Sequence, residues 1–243
     1  MKDGVGPRRV RPELLDNLPP TDLRAIRSRT DLQRLNWLMS HASHIQRATA
    51  AIPGRSGRSG LRIVELGAGD GTLMLAVARR LAPIWPRAHV LLVDRSDSVA
   101  PETLAGFSAL GWDAQLLTRD VFEWLPEPAP PVDLMVANLF LHHFEDAQLT
   151  SLFARLIAGA LLFVACEPRR GAVARAGCGL LGLLGCNEVT RHDAVISVQA
   201  GFRGRELSAL WPKDRSWRLE ERSVGLFSHL FVAARNGAEP ALE

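Results

Sequence analysis

Arg62-Ile-Val-Glu-Leu-Gly-Ala-Gly-Asp-Gly-Thr72 is the stretch on which the fold turns. Its first residues read as a short buried strand, its glycines as a tight turn, and Thr72 onward as the start of a helix. Glycines in such a turn let the backbone pass close to a ligand at the carboxyl edge of a sheet. The dinucleotide fingerprint GxGxxG is not met. Gly67 and Gly69 are in place, but the third position holds Thr72, and Gly71 falls one place early. Glu65 stands just before the glycines.

Working outward from this turn, short apolar runs alternate with helical patterns. The runs are Leu61–Leu66, Ala88–Asp94, Ala114–Thr118, Asp133–Leu139 and Ala160–Cys166. Gly71–Leu81, Ser98–Leu110 and Asp146–Ile157 have helix-like spacing between them. Continuously apolar strands alternating with helices imply a parallel sheet covered on both faces. Ser216–Val224 and Leu226–Arg235 are strand-like and nearly adjacent, so they should pair antiparallel. The expected fold is therefore α/β: a doubly wound seven-stranded sheet, mostly parallel, with an antiparallel C-terminal hairpin and an N-terminal helical cap.

The N-terminal part divides into three. Residues 1–20 are rich in proline and charge and read as an extended arm. From Asp22 to about Ala50 the pattern is helical, with Thr30 and Gln33 as a capping box and Leu35, Leu38, Ala42 and Ile45 as an apolar stripe. Ile52–Gly60 reads as a flexible linker. The expected division is 1–60 for arm, cap and linker and 61–243 for the main domain. Residues 1 to about 50 are expected to close over the ligand site at the carboxyl edge of the sheet and help form its pocket. An insertion at about 169–212 should roof that pocket. It carries the apolar run Gly177–Cys186, a helix over Ala194–Ala200 capped by Asp193, and a helix at Arg203–Leu210.

Composition narrows the function. The chain has 243 residues, 47% hydrophobic and 23% charged, with a net charge of +3. Its arginines are scattered rather than clustered, which argues against a nucleic-acid partner. Three cysteines without CxxC spacing argue against a disulfide scaffold and a structural zinc site, so no metal is expected. The longest apolar run, Leu156–Cys166, is too short to span a bilayer, and no signal-like stretch opens the chain. A cytoplasmic protein without stable membrane insertion is expected; its oligomeric state is left open.

Further acidic and polar residues fall at successive strand ends. Asp94 ends the second strand, where a carboxylate can accept from two ribose hydroxyls. Asp120 follows the third and Asn138 ends the fourth. With Glu65 and the GxGxG turn, this series resembles class I (Rossmann-like) S-adenosylmethionine-dependent methyltransferases over roughly Leu61 to Arg235. The resemblance implies S-adenosyl-L-methionine held by Glu65, Gly67, Ala68, Gly69, Asp94, Arg95, Asp120, Val121, Asn138 and Leu139. It places the Asp120 side chain at the adenine amino group, the Val121 amide at a ring nitrogen, and backbone near Asn138 at the methionine part. Asn138 is followed by Leu-Phe-Leu, not Pro-Pro-aromatic, which disfavours methylation of exocyclic amines.

Leu141-His-His-Phe-Glu-Asp146 looks like the loop after the fourth strand in small-molecule methyltransferases of quinone and natural-product pathways. It is also similar to the Leu-His-Asp-Trp-Ser-Asp segment of plant-type phenol O-methyltransferases, whose His is a general base. That resemblance points to His142 as base and Glu167, at the end of the fifth strand, as its support, although His143 stands where that family has Asp. A phenol near pKa 10 needs such help, and the rate would fall below about pH 6.5. The alternative is that one His caps a helix and the other packs on the cofactor. Arg191, His192 and Asp193 could bind a phenolate or carboxylate from the roof, with His192 as a third catalytic candidate. The Arg-His-Asp-Ala194 and Glu206-Leu-Ser-Ala-Leu-Trp-Pro212 segments resemble bacterial methyltransferases found beside polyketide synthases.

These readings converge on methyl transfer to oxygen or carbon of a small phenolic, quinone-like or polyketide acceptor, apolar or aromatic in character. The rivals are an RNA methyltransferase and a non-catalytic cofactor-binding protein of the same fold.

Overall fold

The computed structural model describes residues 6–49, 60–124 and 132–236. Seven strands form one sheet: β1 Leu61–Leu66, β2 Ala88–Asp94, β3 Asp113–Thr118, β4 Leu134–Asn138, β5 Leu162–Pro168, β6 Trp217–Val224 and β7 Ser228–Arg235. The order across the sheet is β3-β2-β1-β4-β5-β7-β6. The first five strands are mutually parallel, and β7 lies antiparallel between β5 and β6. The strand order reverses beside β1, where the neighbours are β2 and β4, and this switch point opens a crevice at the carboxyl ends.

The helices are α1 Leu23–Leu38, α2 His41–Ala48, α3 Thr72–Leu81, α4 Pro101–Ser108, α5 Val121–Trp124, α6 Asp146–Leu156, α7 Ala172–Cys178, α8 Glu188–Ala200 and α9 Glu206–Leu210. Along β1 the side chains alternate between two cores. Leu61 and Ile63 face the cluster that holds Ile45, Met74, Leu81, Phe107 and Trp112. Val64 and Leu66 face the cluster of Leu152, Phe153, Phe202, Trp211 and Phe231. Burial on both faces explains why these strands are apolar throughout rather than alternating.

The sheet matches the expected one, with strand ends shifted by at most two residues. The helical cap differs in detail. It is two helices, broken where Ser40 takes a left-handed φ of 57°. The Asp22 side chain caps α1 by accepting from the Arg24 amide. Thr30 is not a cap: it lies within α1, and its hydroxyl donates to the Ile26 carbonyl. The expected stripe is interrupted at Leu38, which is 53% exposed, and resumes on α2, where Ala42 and Ile45 are buried. The capping box is instead at α6, between Glu145 and Gln148.

In the roof, α8 starts six residues before the expected helix, at Glu188, and Asn187 caps it by accepting from the Thr190 amide. Asp193 is internal and buried. Its carboxylate accepts from the amides of Leu14 and Leu15 at 2.8 and 2.9 Å, so it anchors the N-terminal arm rather than a helix start. The helix expected at Arg203–Leu210 spans Glu206–Leu210. Of the expected linker, all but Gly60 lies outside the described residues. No helix is long and apolar enough to cross a membrane, among the described residues.

Candidate active site

The turn between β1 and α3 forms the floor. Gly67, Gly69 and Gly71 have φ of 66°, 56° and 71°, values that L side chains rarely adopt. A Cβ on Gly67 would lie 2.1 Å from the Phe140 ring, so the close approach of the β4 loop requires glycine there. Asp94 ties this turn to the end of β2. One of its oxygens accepts from the Gly69 amide at 2.8 Å, and the other accepts from the Ser96 amide and hydroxyl. Asp70 accepts from the Thr72 amide and hydroxyl and holds the start of α3.

Two polar groups at this floor lack partners. Glu65 is buried, and its Oε2 has no hydrogen bond. Burial, followed by the charges of Asp70 and Asp94, pushes its carboxyl well above the usual carboxylate range. Asn138 Oδ1 is likewise buried without a partner, and the next residue, Leu139, takes φ of 50°. Orphaned buried polar atoms are uncommon in native proteins and need an account. A ligand seated on the glycine turn supplies one. Across the floor, Asp120 accepts from the Phe122 amide with one oxygen.

Above the floor, α1 and α2 reach down through a polar chain. Asn138 Nδ2 donates to Asn36 Oδ1 at 3.1 Å. His41 bridges Asn36 at 2.9 Å and the Ser228 hydroxyl at 2.7 Å. Burial lowers the pKa of His41 to about 4, so the ring is neutral, donating from one nitrogen and accepting at the other.

Beside Asn138 lies a second cluster. His142 Nδ1 donates to Glu167 Oε2 at 2.8 Å, and His142 Nε2 donates to Glu13 Oε1 at 3.2 Å. Glu167 also accepts from the amides of Phe140, Leu141 and His142, which fixes the loop after β4. Glu13 comes from the N-terminal arm, and the Ser197 hydroxyl of α8 donates to the same oxygen. All three ionisable groups are buried. Burial alone would lower the pKa of His142, but the hydrogen bonds and charges of Glu13 and Glu167 outweigh it and raise the value to about 9. The carboxyls of Glu13 and Glu167 are held below the usual range: burial opposes this, and the His142 interactions overcome it. The cluster is thus carboxylate, imidazolium, carboxylate at neutral pH. Arg8 pins the arm nearby, donating to the carbonyls of Phe144 and Ala200. Glu13, His142 and His143 also offer three donor atoms within 4.8 Å of one another, but an ion there would compete with this buried ion pair.

A cavity of about 1670 Å³ joins floor and cluster. All ten residues expected to hold the cofactor line it, as do Glu13, His142 and His143. Glu167 supports the cluster from behind. His192 does not join it: its side chain is half-exposed, its Nδ1 lies 2.9 Å from Asp193, and it is not among the cavity-lining residues. Its helical position turns it away, while Ala194, Ser197 and Val198 face inward. The expectation of His142 as a free base also needs revision, because both of its nitrogens are engaged by carboxylates. Sequence reasoning missed Glu13, Asn36, His41 and Ser197. No spacing rule connects Glu13 to a histidine 129 residues away.

A methyltransferase domain model matches residues 63–159, the segment that runs from the glycine turn through β4 and α6. No curated protein matches the sequence. Among solved structures, the plantazolicin methyltransferase BpumL in complex with SAH shares 13% identity at a TM-score of 0.61, covering 89% of this chain and 91% of that one. An O-methyltransferase family protein from Burkholderia thailandensis shares 15% identity at a TM-score of 0.60, covering 90% of this chain and 62% of that one. The magnesium protoporphyrin IX methyltransferase ChlM from Synechocystis PCC 6803 with bound SAH shares 14% identity at a TM-score of 0.51, over 81% and 83% of the two chains. At such identities the structural likeness establishes the fold. The methyltransferase domain match covers residues 63–159, less than half of the chain, so together the two findings give a methyltransferase domain signature carried on the class I fold.

Proposed function

We propose that the enzyme methylates an oxygen or carbon of a small phenolic, quinone-like or polyketide acceptor, and that Glu13 faces the acceptor. The observation that carries this reading is the single cavity joining the glycine floor to the Glu13–His142–Glu167 cluster. Its volume, about 1670 Å³, exceeds the roughly 300–1,000 Å³ of an ordinary ligand pocket, which suits a cofactor and a second molecule together.

The residues fit S-adenosyl-L-methionine. Asp94 would take the ribose hydroxyls, Asp120 and the Val121 amide the adenine, and Glu65 with Asn138 the methionine part. Bound there, the cofactor would supply an electrophilic methyl from its sulfonium, the C–S bond breaking to release neutral S-adenosylhomocysteine, a leaving group that needs no acid. The protein's own work is alignment and care of the acceptor's proton. As an acceptor oxygen takes up the methyl, its O–H becomes far more acidic than a carboxylic acid. A carboxylate of lowered pKa is then base enough. In this reading the acceptor hydroxyl donates to Glu13, its O–H bond breaks as the O–CH3 bond forms, and the proton rests on the Glu13 carboxylate until water removes it. His142 and Glu167 are positioning residues: the imidazolium keeps Glu13 ionised, and Glu167 keeps the imidazolium in place. His143, whose Nδ1 lies 3.3 Å from Asp16, lines the same wall.

The test is incubation with S-adenosylmethionine and a panel of small phenols, followed by mass spectrometry for methylated product and for S-adenosylhomocysteine in equal amount. Equal yields of the two support the reading. S-adenosylhomocysteine without any methylated phenol would overturn the choice of acceptor.

A further inference from the structure

The cavity has a second end that the methyl-transfer chemistry does not use. Three separate segments meet there: the end of α1, the turns after α7, and the β6–β7 turn. Phe227 in that turn packs on α7, since a Cβ added at Gly177 would lie 2.6 Å from its ring. The Phe227 carbonyl accepts from the Arg169 amide at 2.7 Å, which fixes the turn. The neighbouring Ser228 hydroxyl lies 3.7 Å from Met39 Sδ at the end of α1. The rim so formed is apolar and open. Leu38, Leu180, Leu184 and Leu226 are each more than half exposed, and Phe227 more than a third, yet all five line the cavity. Large apolar side chains gathered at an opening mark a binding surface, whereas scattered ones do not.

The rim is continuous with the reacting end. Ser197, which donates to Glu13, stands on α8 one turn from Ala194. Ala194 meets α7 at its carbonyl, 3.5 Å from Cys178 Sγ. Ala174, Gly177, Cys178 and Ala194 also line the cavity, and all four are small and uncharged.

We propose that the acceptor is an amphiphile, with a compact polar head at Glu13 and a hydrocarbon chain that runs between α7 and α8 to the leucine rim. This rests on the methyltransferase reading above and adds the class of acceptor to it. Burying each methylene of such a chain is worth about 0.8 kcal/mol, or about fourfold in affinity.

The probes are 4-n-alkylphenols of increasing chain length, kept below their micelle concentrations. Their dissociation constants are measured by calorimetry on the full chain saturated with S-adenosylhomocysteine, and their methylation is measured separately. Affinity should rise by about fourfold per methylene and then level off once the chain passes the rim. Leu184→Asp and Leu226→Asp sit at exposed positions and should flatten the rise for long chains while leaving the shortest phenol unchanged. Affinity that does not depend on chain length overturns the proposal, and so does a rise that both variants keep in full. A dimer that the two variants convert to monomer, with a flat chain series, would assign the rim to self-association instead. If chain-length dependence holds but no phenol is methylated, the tail site stands and the phenolic acceptor falls. If phenols are methylated equally at every length, the reverse is true.

Discussion

Glu13→Gln is the sharpest perturbation of the proposed chemistry, because it removes one charge and almost no volume. In the native protein, the two carboxylates together move His142 from 6.5 to about 9 against the opposing effect of burial. That shift is worth about 3 kcal/mol. Its sign sets the pH window. The His142 pKa is raised, so its contribution is complete below about pH 6.5 and is lost as pH rises through about 9. The Glu13 pKa is lowered, so its contribution is present above the usual carboxylate range and is lost only as pH falls through the lowered value. Native activity should therefore form a plateau through pH 6.5, without the histidine-type fall there that the sequence alone implied. With glutamine at 13, the proton has no acceptor, and the rate should drop by about 10²–10⁴-fold. Glu167 still pairs with His142, so stability should fall by only about 1–3 kcal/mol. Cofactor affinity should not change. The assay is the methyl-transfer rate from pH 5 to about 10, alongside urea unfolding. A variant within threefold of native rate, or a native profile that falls with a midpoint near 6.5, would refute the role given to Glu13 and restore His142 as the base.

His142→Ala should leave two buried carboxylates without a counter-charge and cost about 3–5 kcal/mol in urea unfolding; a loss below 1 kcal/mol would show that the cluster is not an ion pair. Gly67→Ala should abolish cofactor binding in calorimetry, because its Cβ would fall 2.1 Å from the Phe140 ring at a positive φ. Deleting residues 1–20 should lower the thermal midpoint as well as the rate, since it strips Arg8 and Glu13 from the core and frees the Asp193 carboxylate from the amides of Leu14 and Leu15. An arm-less chain with unchanged melting would show the arm to be a separable accessory.

The floor of the site was legible in the sequence because it is local. One strand, one turn and the following helix contain Glu65, Gly67 and Gly69, and the order of strands carries Asp94, Asp120 and Asn138 to the same edge. Buried parallel strands announce themselves as apolar runs, which is why their ends were placed within two residues. The wall of the site was not legible, because it is made by contacts distant in sequence. Glu13 meets His142 only because the N-terminal arm, whose one regular element is a 3-10 turn at Leu15–Asn17, packs between α8 and the loop after β4, and nothing periodic records such a path. Asp193 misled for a related reason. An acidic residue before an apolar stretch looks like a helix cap, but here it accepts amides from another segment. Thr30 followed by Gln33 met the capping pattern inside a helix already begun at Leu23. Local rules compete, and tertiary packing decides among them.

Whether the glycine floor binds S-adenosylmethionine through the carboxylate at the end of β2 is decided by calorimetry with S-adenosylhomocysteine on the native chain and on Asp94→Ala. The native chain should bind with a micromolar dissociation constant. Asp94→Ala should weaken binding by about ten- to a hundredfold, through loss of charge-assisted hydrogen bonds of about 1.5–3 kcal/mol. An unchanged constant in the variant would contradict the assignment of Asp94, and tight binding of NADH in place of S-adenosylhomocysteine would contradict methyl transfer altogether.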